Sequence, residues 1–239
     1  MTDLPDHLPP SAPLALGSGV ANDGPTEVAA TGHTADDDAG NGAAAPRKRP
    51  KPGERRVQIL QTLASMLEQP GADRITTAAL AGRLAVSEAA LYRHFASKAQ
   101  MFEGLIDFIE SSVFTLVNQI CEREADGRVQ AARTVTVVLQ FGERNPGMSR
   151  VMVGDALVYE NERLQTRMNQ FFDRIESQLR QSLRAAADAQ GSATPTVEAA
   201  SQASVLASYV AGRLQRYVRS GFKRSPTEHL DTALGWLSR

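Results

Sequence analysis

Apolar residues recur every three or four positions along most of the chain after residue 53, the spacing that places them on one face of an α-helix. The first such stripe, Leu60, Leu63 and Leu67, predicts a helix at about residues 53–68. No segment shows the strict alternation of apolar and polar residues that is typical of a strand. The pattern therefore predicts an all-α protein of about nine helices.

Residues 74–102 predict two short helices joined by a tight turn. Thr76 or Thr77 can cap the first helix and Ser87 the second, because a hydroxyl oxygen accepts a hydrogen bond from an unpaired backbone N–H. Ala85 lies in the turn, where a left-handed conformation would cost roughly 1 kcal/mol or more. These features indicate a helix-turn-helix motif, with a solvated helical hairpin as the alternative. Its predicted core is Leu80, Leu84, Val86, Leu91 and Phe95.

Longer helices follow the motif and predict a separate helical body. Ser97 can cap a fourth helix, and further helices are expected at about residues 128–144, 148–153, 159–187, 197–221 and 226–237. The predicted stripe of the fourth helix is Met101, Leu105, Phe108, Ile109, Ser112, Leu116 and Ile120. The predicted stripe of the 159–187 helix is Leu164, Met168, Phe171, Ile175, Leu179 and Leu183.

The helix at 197–221 has two candidate buried faces. One face consists of small residues four apart, and the other is a stripe of larger apolar residues. We expect one face to pack inside the subunit and the other across the two-fold axis of a homodimer, with a monomer as the alternative. Trp236, on the last helix, is expected to pack on the body. The two faces are Ala199, Ala203, Ala207 and Ala211, and Leu206, Val210, Leu214 and Val218.

Charge divides the chain into three parts, although its formal net charge is only −1. Residues 1–46 contain seven acidic residues and no Lys or Arg, and their composition predicts a disordered acidic tail. Residues 47–98, a basic arm plus the helix-turn-helix, have a net charge of +6. Such a segment is suited to DNA phosphates, whose neutralisation releases counterions. Residues 99–239 form the predicted body.

Several classes of function are disfavoured by the sequence. No apolar run reaches the length of a membrane span, and the N-terminus lacks the features of a signal peptide, so we expect a cytoplasmic protein. The four histidines have no partners at metal-ligand spacing, and no catalytic motif is present. We therefore expect neither an enzyme nor a bound metal or cofactor.

The order of parts resembles the TetR family of transcriptional regulators. The similar runs are RITTA at 74–78, VSEAALYRHF at 86–95, FGERNPG at 141–147 and YVRSGFK at 217–223. The run at 141–147 is the more specific one and resembles a branch of this family, the nucleoid occlusion factors. The resemblance covers residues 55–239 and implies a homodimer on palindromic double-stranded DNA, with more than one dimer per site as an open option.

Helix geometry and the resemblance together suggest roles for the DNA-facing residues. Glu88 can accept a hydrogen bond from cytosine, the methyl of Ala90 can contact thymine, and Arg93 can bind guanine or a phosphate. The remaining candidates are expected to contact the DNA backbone or to lie beside it. The full set is Thr76, Thr77, Ser87, Glu88, Ala89, Ala90, Tyr92, Arg93, His94 and Lys98, with Arg47, Lys48 and Arg49 of the basic arm.

The resemblance also implies a protein partner, the C-terminal tail of the division protein FtsZ, bound along the fourth and fifth helices. The implied contact residues are Phe108, Val137, Arg144 and Asn145. Two positions depart from the branch pattern: Leu116 replaces an expected arginine and Gln140 an expected glycine. The alternative function is a ligand-responsive repressor, which would require a pocket with convergent polar groups in the body.

Overall fold

The computed structural model describes residues 53–69 and 74–237. Within these ranges the chain forms nine α-helices and one short 3₁₀ helix, and none of the described residues lies in a strand. The all-α prediction is confirmed. None of these helices combines the length and the apolar character that crossing a bilayer requires. The predicted acidic tail and the basic residues Arg47, Lys48 and Arg49 lie outside the described ranges.

The helices occur in the order that the apolar pattern predicts. The 3₁₀ helix, Asp155–Leu157, lies between the sixth and seventh α-helices. The α-helices are α1 (Glu54–Leu67), α2 (Thr77–Arg83), α3 (Glu88–Tyr92), α4 (Lys98–Arg123), α5 (Gly127–Arg144), α6 (Pro146–Met152), α7 (Glu162–Ala189), α8 (Pro195–Arg219) and α9 (Leu230–Leu237).

Two helix starts differ from the predicted positions for the same reason. Pro146 and Pro195 were expected to lie in loops, but each is the first residue of a helix, α6 and α8 respectively. Proline fits this position because its φ is already helical and its missing N–H would have no partner there. α7 starts later than predicted, at Glu162, because Asn161 caps it by accepting a hydrogen bond from the Arg163 N–H at 3.1 Å.

The three predicted hydroxyl caps of the N-terminal module are present. The Thr76, Ser87 and Ser97 side chains accept hydrogen bonds from backbone N–H groups at 3.1, 3.3 and 3.2 Å. These caps define where α2, α3 and α4 begin, and so they set the short spacing between α2 and α3. The helix-turn-helix prediction is therefore correct in its local geometry.

The core of this module agrees with most of the sequence prediction. Leu80, Leu91 and Phe95 are buried, and the small residue Ala81 is buried where α2 and α3 approach each other. The predicted core residues Leu84 and Val86 are only half-buried because they flank the turn. Further buried side chains come from α1 and from the first turns of α4, namely Ile59, Leu60, Leu63, Met101, Phe102 and Leu105.

The turn between α2 and α3 requires a left-handed residue, and Ala85 provides it with φ 53°. The Ala85 N–H donates to the Gly82 carbonyl at 3.1 Å, and the Val86 N–H donates to the Ala81 carbonyl at 3.0 Å. This pair of bonds is the usual way to end a helix at a left-handed residue, a position that normally favours glycine. Ala85 therefore adopts a strained conformation that the adjoining helices impose.

We expect Ala85→Gly to raise the free energy of unfolding by about 0.5 to 1 kcal/mol. Glycine removes a steric cost of roughly 1–2 kcal/mol, which its greater freedom in the unfolded chain partly offsets. Denaturant unfolding measures the change. Ala89→Gly is the matched control, because Ala89 lies in α3 at an ordinary helical position and the same substitution should destabilise there. Equal effects at both positions would contradict the prediction.

The body is built around α5, α7 and α8. All six residues of the predicted α7 stripe are fully buried, so this prediction is confirmed. The apolar block of α5 is also buried, and α5 packs against α4, α7 and α8. The members of this block are Val135, Val137, Val138, Leu139 and Phe141.

In the first half of the predicted α4 stripe, Met101, Leu105 and Ile109 are buried and Phe108 is half-buried, whereas the second half of the prediction is wrong. Beyond Ile109 the buried residues are Val113, Phe114 and Val117, whereas Ser112, Leu116 and Ile120 are half-buried. The reason lies in α7, which packs against this side of α4. The rings of Phe114 and Phe171 are 5.5 Å apart, and the Arg174 guanidinium lies 3.7 Å from the Phe114 ring centre. Spacing alone does not tell which face another helix covers.

The two predicted faces of α8 are divided differently in the structure. Ala199 and Ala203 belong to the same buried face as Leu206, Val210 and Leu214. Ala211 is exposed, and Ala207 and Val218 are half-buried. In the middle of α8, over residues 204–212, the exposed face consists of short side chains plus one valine. Its members, hereafter the open face of α8, are Ser204, Val205, Ser208, Ala211 and Gly212.

The expectation that Trp236 packs on the body is wrong. α9 begins at Leu230, not at residue 226, and it contacts the body through Leu230 and Leu234. Trp236 lies two residues beyond Leu234, on the opposite side of the helix, and is 70 % exposed.

The joint between the N-terminal module and the body is the contact of α1 with α6. A Cβ atom on Gly147 would lie 2.2 Å from the Ala64 carbonyl oxygen, so only glycine allows this approach. The backbone of Gly147 also hydrogen-bonds Glu68, whose pKa is nevertheless raised by burial. Arg150 donates to Asp155 at 2.6 Å and to the Leu67 carbonyl at 3.4 Å. The close backbone approach and the hydrogen bonds of Glu68 and Arg150 thus join the two parts, and the ion pair with Asp155 holds Arg150 in place within the body.

Candidate functional site

The exposed surface of the N-terminal module is centred on α3, the candidate recognition helix. Glu88, Ala89, Tyr92, Arg93 and His94 are exposed, and Tyr92 is the most exposed large apolar residue of the module at 46 %. Ala90, the predicted thymine contact, is half-buried, so it presents less surface than Ala89. A short helix with these side chains projecting outwards is suited to the DNA major groove.

Two of the predicted DNA contacts already bind each other. The Thr77 hydroxyl donates a hydrogen bond to the Glu88 carboxylate at 2.5 Å, which links the first turn of α2 to the first turn of α3. This contact orients Glu88 at the start of the recognition helix.

Arg56 has a role inside the module, although it belongs to the basic run of the chain, Arg47, Lys48, Arg49, Lys51, Arg55 and Arg56. Its guanidinium donates to the carbonyl of His94 and lies 4.1 Å from the centre of the Phe95 ring. Arg56 thereby fastens the end of the recognition helix to α1. From the sequence, the basic run was predicted to contact DNA. The bracing role of Arg56 was not predicted, because its partner is a backbone carbonyl and every residue has one.

Lys98, a predicted phosphate contact, forms an ion pair with Glu160 of the body. Lys98 is the first residue of α4, and Glu160 lies in the segment between the 3₁₀ helix and α7. The Lys98 ammonium is also 5.7 Å from the centre of the Phe102 ring. Sequence reasoning did not identify Glu160, because 62 residues separate the two partners and neither has a distinctive local pattern.

The candidate partner-binding residues lie on α4 and at the end of α5. Phe108 is half-buried, with its ring 6.1 Å from that of Phe141, and Val137 is 9 % exposed. Val137 therefore exposes little surface, and Phe108 is the more exposed of these two apolar side chains. Arg144 is exposed and has no ion-pair partner among the residues that the structure describes. An exposed, unpaired guanidinium is available to a carboxylate of a partner.

Asn145 has a structural role that the sequence prediction did not include. Its side-chain amide donates to the Phe141 carbonyl at 2.8 Å, and it occupies the cap position between α5 and α6. Asn145 thus orients the end of α5, next to Arg144. The departing residues Leu116 and Gln140 are both half-buried on the same two helices.

An exposed recognition helix on a capped three-helix module, joined to a separate helical body, defines a helix-turn-helix DNA-binding protein. The family model described as "Bacterial regulatory proteins, tetR family" matches residues 59–105. The SlmA-like model described as "Tetracyclin repressor-like, C-terminal domain" matches residues 126–239.

Solved structures of TetR-family regulators share this fold. The regulator PfmR from Thermus thermophilus superposes with a TM-score of 0.61, at 21% identity, over 76% of this chain and 97% of its own. The fatty acid degradation regulator FadR from Bacillus halodurans superposes with a TM-score of 0.62, at 14% identity, over 79% of this chain and 97% of its own. At these identities the likeness concerns the fold alone.

Curated relatives are far more similar in sequence. Nucleoid occlusion factor SlmA of Photobacterium profundum is 52% identical over 182 residues, which are 76% of this chain and 92% of the relative. The protein of the same name from a Marinomonas species is 52% identical over 178 residues, 74% of this chain and 90% of the relative. The chain belongs to the SlmA family of TetR-type proteins.

Proposed function

We propose that this protein is a nucleoid occlusion factor. It acts in the cytoplasm as a homodimer on palindromic sites of the nucleoid, binds FtsZ and antagonises its assembly, so that no septum forms across the chromosome. The observation that carries this proposal is about 50% identity, over three quarters of the chain, to several proteins named nucleoid occlusion factor SlmA. We assign the protein no catalytic role.

DNA binding is assigned to the N-terminal module. α3 enters the major groove, where Glu88, Ala90 and Arg93 meet base edges, and the other candidates contact the DNA backbone or lie beside it. The exposure of α3 and the contact between Thr77 and Glu88 support this arrangement. The basic arm with Arg47, Lys48 and Arg49 is proposed to add phosphate contacts.

Substitutions in this module should separate affinity from sequence preference. We expect Lys98→Gln to weaken binding to all duplexes by a similar factor and to reduce the slope of log K against log salt by about 0.9, the value for one phosphate contact. Arg93→Ala should instead change the preference among variants of the binding site. Titrations on selected and unrelated duplexes at several salt concentrations test both results. An unchanged preference together with an unchanged salt slope would contradict the assignment.

The homodimer is proposed to form through the open face of α8. This face presents short side chains over two helical turns, which allows a second helix to approach closely. Exposed Val205 would lie within such an interface. The spacing of the half-sites then decides whether one dimer or more occupies each DNA site.

The FtsZ tail is proposed to bind along α4 and α5. Phe108 and the small exposed part of Val137 provide the apolar contact, and Arg144 binds a carboxylate. Asn145 orients the end of α5 beside them. The exposure of Arg144 and the half-exposed ring of Phe108 support this placement.

Sedimentation of FtsZ polymers tests the proposal directly. The protein is added to polymerised FtsZ with or without a duplex selected for its affinity, and the pelleted FtsZ is measured. We expect less polymer in the pellet when protein and selected duplex are both present than with an unrelated duplex. An unchanged pellet, combined with release of the protein from DNA by a small molecule, would instead indicate a ligand-responsive repressor.

A further inference from the structure

Glu160 forms an ion pair with Lys98, the cation that we assign to a DNA phosphate. Its carboxylate pairs with the Lys98 ammonium at the first residue of α4. The Lys98 side chain is 23 % exposed and the Glu160 side chain only 9 %. The Lys98 side chain is therefore partly open to an approaching phosphate, whereas the Glu160 side chain is largely enclosed.

A carboxylate and a phosphate compete for the same N–H donors. Lys98 is the one cation that forms an ion pair with Glu160 among residues 53–69 and 74–237. If a phosphate bound the ammonium while Glu160 remained in place, two anions would share one cation at short range and repel each other. This repulsion makes phosphate binding by Lys98 less favourable while the ion pair with Glu160 is intact.

We propose that Glu160 competes with DNA phosphate for Lys98 and thereby lowers the affinity of the protein for all DNA sequences. This inference rests on the proposed role of Lys98 in DNA binding. Because a phosphate contact does not distinguish bases, removal of the competitor should strengthen specific and non-specific binding alike. Glu160 lies in the body, so part of the DNA affinity is set outside the helix-turn-helix.

The test compares two substitutions that remove one negative charge each. Glu160→Gln removes the competitor. Glu103→Gln is the matched control, because Glu103 is also paired with a cation, Arg163 of α7, at 2.8 Å. Dissociation constants are measured on a selected duplex and on an unrelated duplex of equal length. We expect Glu160→Gln to bind both duplexes about 3- to 10-fold more tightly, and Glu103→Gln to stay within about twofold of the parent protein.

Lys98→Gln, alone and combined with Glu160→Gln, shows whether the role of Lys98 or the competition by Glu160 is wrong if the result differs. If Lys98→Gln leaves DNA binding unchanged, the proposed role of Lys98 is wrong. If Lys98→Gln weakens binding but Glu160→Gln does not strengthen it, the competition is wrong. In the Lys98→Gln background, Glu160→Gln should have no further effect, and continued tightening there would show a general charge effect and overturn the inference.

Thermal unfolding of each variant separates competition from loss of a structural contact. If Glu160→Gln unfolds at a lower temperature than Glu103→Gln, Glu160→Met provides a second uncharged side chain of similar length. Tighter DNA binding by Glu160→Met supports the inference, and weaker binding by a folded Glu160→Met counts against it.

Discussion

Gly147→Ala is expected to lower the free energy of unfolding by roughly 2 to 3 kcal/mol, the range for a side chain forced into a closely packed contact. The added Cβ atom would lie 2.2 Å from the Ala64 carbonyl oxygen, a backbone atom that no change of rotamer can move. α1 and α6 must therefore separate. Because α1 belongs to the DNA-binding module and α6 to the body, DNA affinity should fall as well. Denaturant unfolding and DNA titration measure the two effects.

Gly82→Ala is the control for this substitution. Gly82 also lies in a helix, but no atom lies within 4 Å of the position that its Cβ would occupy. Alanine should raise the free energy of unfolding there by about 0.5–1 kcal/mol, since it restricts the unfolded chain. If Gly147→Ala were as stable as Gly82→Ala, the close contact between α1 and α6 would not exist in solution.

Arg144→Glu is expected to weaken binding of the FtsZ tail by about tenfold or more, because it replaces a cation with an anion opposite a carboxylate. Arg144 is exposed at the end of α5, so the fold and DNA binding should be retained. Fluorescence anisotropy with a labelled peptide of the FtsZ C-terminal tail measures the affinity, and the sedimentation assay measures the effect on polymers.

Arg123→Glu is the matched reversal of charge. Arg123 is exposed at the end of α4, close to the start of α5, whereas Arg144 lies at the end of α5. The Arg123→Glu variant should bind the peptide with nearly the affinity of the parent protein. Equal losses in both variants would mean that net charge, and not a local contact, governs the interaction. No loss in Arg144→Glu would remove Arg144 from the partner-binding site.

The features that were predicted correctly depend on neighbours in sequence. A hydroxyl such as Thr76, Ser87 or Ser97 caps a helix through an N–H three residues away, so the motif can be identified without knowledge of the fold. The α7 stripe is similar, because a long helix with one regular apolar face has only one way to pack. Local chemistry therefore defined most helices and the recognition segment.

The features that were predicted wrongly depend on which elements meet. The second half of α4 has apolar residues on two neighbouring faces, and the position of α7 decides that Phe114 rather than Leu116 is covered. The open face of α8 was misassigned for the same reason, since alanine suits both a buried and an exposed surface.

The same distinction, between features set by sequence neighbours and features set by distant contacts, applies to the candidate site. Exposure of α3 follows from the motif, but the partners of Lys98 and Arg56 do not. Glu160 is 62 residues from Lys98, and Arg56 binds a backbone carbonyl, which every residue has. Counting basic residues therefore predicts which part of the chain faces DNA but cannot tell which cations already have partners.

The exposed position of Trp236 has a practical consequence. It is the only tryptophan of the chain, so nearly all fluorescence excited at the red edge of protein absorption originates from α9. Such emission is insensitive to rearrangements within the helix-turn-helix unless they also reach α9. A fluorescence signal from the unlabelled protein would thus report the surroundings of its C-terminal helix, and binding at α3 would need an external dye.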